Sequence, residues 1–361
     1  MIIFVQTTQN IIPPDKKQRK AWIDCGRGIS MYLVVLFHSE AYFPVSDFAV
    51  SPLVAFFRIP FFFFLSGYLF TSDYRRFSFR RKTIQVLTRI VWTYLIFTSL
   101  IVLPKSLANH TPLSEGILNI LTGRASWFIV SLGFAQMMWA LVMKYTKRTS
   151  VYAVFMLLSL TAGGIIKACQ LEPLPYWFDC ALIVNFFLGL GFFYRLYETS
   201  VSRILKPRIS TLLLAAALYF TLTLADRALL GTNNMIFVPG DHHLFPLTVI
   251  YAILGIVMAT LFVKVMPPSR AMRFIGIHSL VFYYLNGGLL HIMSILSDRT
   301  GLTSWIVNVP DAAAYLFILL MSLCASGILA ATAMLIERRA PILTGDRPAI
   351  KRLLQRMGVK I

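Results

Sequence analysis

Ten apolar stretches, each close to the length that crosses a bilayer, limit what this chain can fold into. They fall at roughly 22–42, 52–72, 83–103, 126–144, 151–168, 177–194, 210–226, 244–265, 274–297 and 312–336. A helix of about 20 mostly apolar residues covers a ~30 Å hydrocarbon core. Inside hydrocarbon, only helices and closed barrels satisfy their backbone polar groups. The 361 residues are 57% hydrophobic and 14% charged, with mean hydropathy +0.71, which is too apolar for a water-soluble domain. The pattern predicts an all-α, polytopic integral membrane protein of about ten transmembrane helices. Residues 22–336 form the membrane domain, between a basic N-tail (1–21) and a basic C-tail (337–361).

The charge pattern tests that count. Of 34 Lys and Arg residues, 26 fall in the two tails and in the connections after even-numbered stretches. Five (Lys105, Arg124, Lys167, Arg227 and Arg299) fall in the alternate connections, and Arg27, Arg58 and Arg89 lie within stretches. Basic loops stay on the cytoplasmic side, so both termini are expected there. A net charge of +19 would suggest nucleic acid in a soluble chain. Here the basic residues punctuate apolar runs and read as topology signals, so no nucleic-acid partner is expected. The first twenty residues are polar, interrupted by Pro13-Pro14, and do not resemble a cleavable signal. No internal repeat is visible, which weighs against a transporter. The C-tail is compatible with a basic amphipathic helix around Ile350–Met357 or with a disordered tail. Cys25, Cys169, Cys180 and Cys324 lack metal spacing and read as small packing residues, with a Cys169–Cys180 bridge as the alternative.

The first stretch carries the chemistry. Within Trp22–Tyr42 stand Arg27 and His38, costly residues for a membrane helix and usually paired or functional. Eleven positions at about 100° each place them within roughly 20° of one helix face, and roughly 16 Å apart along it. Imidazole suits general-base work near neutral pH, and a planar guanidinium suits phosphate or carboxylate. The competing readings are a histidine bonded to a neighbouring helix, and an arginine snorkelling or paired with Asp24. Glu40, two positions beyond His38, points elsewhere and reads as an outer-surface carboxylate, in place to orient His38 only if the helix ends or distorts there. Arg89, about two turns into the third stretch, joins Arg27 as a candidate anion ligand. In FFRIPFFFFLSGYLF, Pro60 is expected to kink the second helix, and Ser66-Gly67 permits close helix approach. The phenylalanines read as packing surface, and Arg58 as facing a cavity or headgroups. Trp127-Phe128 opens the fourth stretch as an interfacial anchor. Asp241-His242-His243 has too few ligands for a metal site, and none is expected. His278 and His291 fall in the ninth stretch on different faces, with Tyr283 and Asn286 between them.

These segments resemble the acyltransferase-3 family of bacterial integral-membrane acyltransferases. Arg27 and His38 match its Arg-x10-His motif, and FRIPFFFFLSGYLF resembles its Pro-Leu-Phe-Phe-Phe-Leu-Ser-Gly-Tyr signature around Pro60, Ser66 and Gly67. Arg89-Ile-Val-Trp-Thr-Tyr94 resembles its third-helix motif, Trp127-Phe128 its Trp-Phe pair, and Ser279 to Asn286 its late motif. The chain departs where Val86 replaces the first arginine of an Arg-x-x-Arg pair, where Trp92 follows Arg89 in place of the common proline, where Asn286 replaces a histidine, and where Arg58 replaces another.

The resemblance implies transfer of an acyl group, usually acetyl, from cytoplasmic acetyl-CoA or another acyl-CoA. The acceptor would be a sugar hydroxyl of a lipid-linked or exported polysaccharide, and the setting a bacterial cytoplasmic (inner) membrane. It further implies catalytic roles for His38 and Arg27, donor contacts from Arg27, Arg89 and Ser66, and acceptor contacts from Glu40, Arg58, Trp127 and Asn286. A flippase or transporter for a lipid-linked sugar is the alternative expectation.

Overall fold

A computed structural model of the chain describes residues 20–71, 73–108, 111–169, 174–230, 237, 245–346, 348–350 and 355. Lys16, Lys17, Arg19, Asp241, His242, His243 and most of the expected C-terminal helix lie outside the described residues.

The described residues are helical and contain no β-strand. The chain begins with α1 (Ala21–Tyr42) and α2 (Ser51–Tyr68). A single long third span follows: α3 (Phe79–Val86), one π-helical turn at Leu87–Val91, and α4 (Trp92–Ala108). Next come the short α5 (Leu113–Leu121), then α6 (Trp127–Tyr145), α7 (Thr149–Ala168), α8 (Phe178–Leu196) and α9 (Glu198–Ile204). The chain continues through α10 (Ile209–Leu230), α11 (Phe245–Val265), α12 (Arg270–Ile277) and α13 (Ser279–Arg299), and ends with α14 (Leu302–Ile306) and α15 (Asp311–Arg339).

Nine of these segments are long and apolar enough to cross a membrane. The tenth expected span is α1, 22 residues or about 33 Å long. Asp24, Arg27 and Glu40 dilute its apolar character, yet it is central, packing on α2, α11, α12, α13 and α15. Burial sorts the others. α2 and the span ending in α8 are 72% buried, whereas α10 at 22%, and α7 and the third span at 28% each, form the outer rim. A polar-bearing helix shielded by apolar ones is the arrangement that hydrocarbon demands.

The ninth expected stretch, 274–297, does not exist as one helix. The chain breaks at His278, and the spanning segment starts at Ser279. Cys25, Asp24 and Gly28 of α1 meet Ser269, Gly276 and Met272, so all of α12 crosses α1 within about one turn of it. α12 therefore lies across the foot of α1 on the side of the basic connections. Its polar and apolar faces suit an interfacial position.

Two pairs of glycine contacts set the spacing of the bundle. A Cβ on Gly28 would collide with the Met272 carbonyl, and one on Gly276 with the Asp24 carbonyl. On α2 and α8, Gly67 meets the Leu188 carbonyl and Gly191 meets the Phe64 carbonyl in the same way. Small residues allow backbones this close. α2 runs unbroken through Pro60.

Polar clasps hold both ends. On the basic side, Glu198 accepts from Lys20 at 2.7 Å, from Lys264 at 2.8 Å and from the Tyr68 hydroxyl. Burial works to raise the Glu198 carboxyl, but these three donors outweigh it and bring it down to about 2. At the opposite end, Glu40 accepts from the backbone N–H groups of Val50 (2.9 Å) and Ser51 (3.2 Å) and from the Tyr315 hydroxyl (2.9 Å). It thus caps the start of α2 and ties α15 to α1. Lys167 and Asp179, 3% and 1% exposed, form a 2.5 Å ion pair between α7 and α8. All four cysteines are free, so the Cys169–Cys180 alternative is not realised. After α15, Pro341–Thr344 forms a short 3-10 turn against the third span. The Trp92 indole donates to the Ile342 carbonyl at 2.9 Å, and Gly345, at φ +74°, lies against the Thr88 carbonyl.

Candidate active site

The site is built where α1 faces α2 and α13. Arg27 turns inward from α1: its guanidinium donates to the Ser279 hydroxyl at 2.8 Å and stacks 5.2 Å over the Phe62 ring. Ser279 is in reach because the Gly28–Gly276 contact brings the end of α12 onto α1 and the next residue begins α13.

His38 stands three turns higher on the same face. Its half-buried ring packs edge-on to Phe37, with centroids 5.2 Å apart. Among the described residues, no hydrogen bond engages either ring nitrogen. Arg58 of α2 is buried at 3% exposure, and its guanidinium lies 4.3 Å over Phe37, within electrostatic reach of His38 and Glu40. Arg58 and Phe62 are one helical turn apart, so Arg27 and His38 look onto one stripe of α2. Ser66, a turn further along that helix, donates back to the Phe62 carbonyl at 2.9 Å.

Aromatic rings form the adjoining wall. Phe128 of α6 packs on Phe62 (5.2 Å), Phe63 (4.9 Å) and Tyr283 of α13 (4.8 Å). Trp127 is half-buried against Phe237, 5.3 Å away. The Ser126 and Tyr283 hydroxyls share a 2.9 Å hydrogen bond. Asn286 is seven residues beyond Ser279 and so within about 20° of the same face of α13. It is 2% exposed, and its amide nitrogen donates to the Phe282 and Tyr283 carbonyls at 2.8 and 2.7 Å.

The structure thus joins Arg27 to Ser279 and Phe62, brings Arg58 within electrostatic reach of His38, and places Trp127 and Asn286 on neighbouring walls. Two candidates have other engagements. Glu40 is engaged in capping α2. Arg89 lies on the exposed side of the π turn, near Lys82, which is itself buried over Phe70 at 4.0 Å. Sequence alone does not single out Phe62, which reads as packing surface; the signal that points to it is the four-residue spacing from Arg58, which puts a cation and an aromatic face on one stripe.

No curated protein and no solved structure matches the chain. The acyltransferase-3 family model, described as an acyltransferase domain, matches residues 20–331, from the foot of α1 to the last turns of α15. Over nearly its whole length, with this half-buried Arg27–His38 wall at its centre, the chain belongs to the acyltransferase-3 family of membrane acyltransferases.

Proposed function

We propose that the protein is an O-acyltransferase of the cytoplasmic membrane. It moves an acyl group, acetyl in the first instance, from cytoplasmic acyl-CoA to a sugar hydroxyl of a lipid-linked or exported polysaccharide. The observation that supports this reading is the shared wall: a guanidinium low on α1 and an imidazole about 16 Å higher, both facing the Arg58–Phe62 stripe. Arg27 holds a phosphate of the donor near the basic side, oriented by Ser279 and Phe62. His38 takes the proton from the sugar hydroxyl through a ring nitrogen that no described residue hydrogen-bonds. The sugar oxygen attacks the thioester carbonyl, the carbon–sulfur bond breaks, and His38 returns its proton to the departing thiolate. Trp127 offers the sugar an aromatic face, and Asn286 lines the passage between the two levels.

The test is acyl transfer in membranes that carry the protein. Labelled acetyl-CoA marks polysaccharide when the chain is present, and His38→Ala removes the label at unchanged protein level. Label retained by the variant refutes the mechanism. If the wild type leaves no label but shifts lipid-linked sugar between leaflets, the protein is a flippase.

A further inference from the structure

α12 and α15 both pack on α1 and leave between them an apolar groove of about 380 Å³. Tyr32 of α1 floors it. Met272 and Ile275 line one side, and Leu323, Gly327 and Met334 the other. Tyr32 is five residues from Arg27, about 140° around α1, so the groove opens on the side away from the candidate active site.

Its dimensions and its ends describe its occupant. From Leu323 to Met334 the α15 wall runs about 16 Å, close to half of the ~30 Å hydrocarbon core. That is the depth of one leaflet. The deep end is closed where the Tyr32 and Ser322 hydroxyls share a 3.1 Å hydrogen bond. The shallow end opens at the basic side beside α12. There the exposed Arg270 stands on the first turn of α12, and the exposed Arg338 lies one turn beyond Met334, continuing its wall. Among the described residues neither arginine has an acidic partner. Glu337, next to Arg338 in sequence, faces His278 at 3.6 Å.

We propose that this groove is a binding site for an anionic phospholipid of the leaflet on the basic side. One acyl chain lies along α15 up to the Tyr32–Ser322 contact, and the phosphate sits between Arg270 and Arg338. A one-leaflet slot with a cationic mouth matches that molecule in both length and charge. A cationic mouth near the membrane surface favours anionic over zwitterionic headgroups. The proposal does not rest on the acyl-transfer reading, since no catalytic group lines the groove.

Native mass spectrometry of the purified protein, released from bilayers of mixed phosphatidylglycerol and phosphatidylcholine, tests it. The wild type is expected to retain one phosphatidylglycerol in clear preference to phosphatidylcholine. A Cβ on Gly327 meets nothing within 4 Å, so Gly327→Phe fills the groove without disturbing the bundle, and the bound lipid should disappear. In Arg270→Ala/Arg338→Ala the preference should drop by roughly fivefold per arginine, about 25-fold in all, with the groove still occupied. This double variant changes only exposed side chains, so it decides the matter even if Gly327→Phe folds poorly. Equal retention of the two lipids by the wild type, or a preference unchanged in the double variant, overturns the proposal.

Discussion

Replacing Gly276 by alanine tests whether the α1–α12 contact is what holds Arg27 in place. The added methyl group would meet the Asp24 carbonyl far inside contact distance. An ordinary carbon–oxygen contact needs about 3.3 Å, so α12 must retreat by on the order of 1 Å. Ser279 begins the next helix and would move with it, stretching its 2.8 Å bond from Arg27 beyond the range of a hydrogen bond. Two costs follow: about 1–3 kcal/mol for overpacking, and about 1.5–3 kcal/mol for a charge-assisted bond. A 1 Å displacement next to a reacting group can also cost roughly a hundredfold in rate. The control is Gly287→Ala on α13, where a Cβ meets nothing within 4 Å. Thermal unfolding in detergent and acyl transfer in membranes, measured side by side, should show Gly276→Ala destabilised and nearly inactive while Gly287→Ala matches the wild type. Equal behaviour of the two variants would refute the argument.

Arg27→Lys keeps the charge but loses the planar fork that reaches Ser279 while stacking on Phe62. The KM for acyl-CoA should rise about tenfold or more, as read from initial rates. Glu198 has a folded-state value of about 2, below its ordinary 4.5. Its stabilisation is therefore complete above about pH 4.5 and is lost as pH falls toward 2. Solvent screening limits it to about 1 kcal/mol, and Glu198→Gln should abolish that part of the acid dependence of the unfolding temperature. Lys167→Met strands the buried Asp179 and should cost about 3–5 kcal/mol. Lys167→Met/Asp179→Leu should recover most of that loss, as judged by thermal melts.

Burial in hydrocarbon made the spans legible, because a stretch of 20 apolar residues such as 244–265 leaves the chain few choices. The same signal failed at His278. Apolar residues flank His278-Ser279 on both sides of the break, and hydropathy does not distinguish a helix lying across α1 from one running beside it. The short α5 was hidden for a related reason, being too brief to register as a span. At the site, the common face of Arg27 and His38 follows from helical periodicity alone. Ser279 and Phe62 as partners of Arg27 depend on helix crossings far apart in sequence. The three partners of Glu40 are not legible in the sequence, because they come from the turn into α2 and from α15, 275 residues away.

The docking of residues 341–345 onto the π turn has a consequence for biogenesis. The third span is threaded early, but its widened turn lacks its backbone and indole partners until Ile342 and Gly345 have left the ribosome. The region around Arg89 is therefore finished late in synthesis, and a fusion or cut placed just after Arg339 would leave that early helix permanently without its mate.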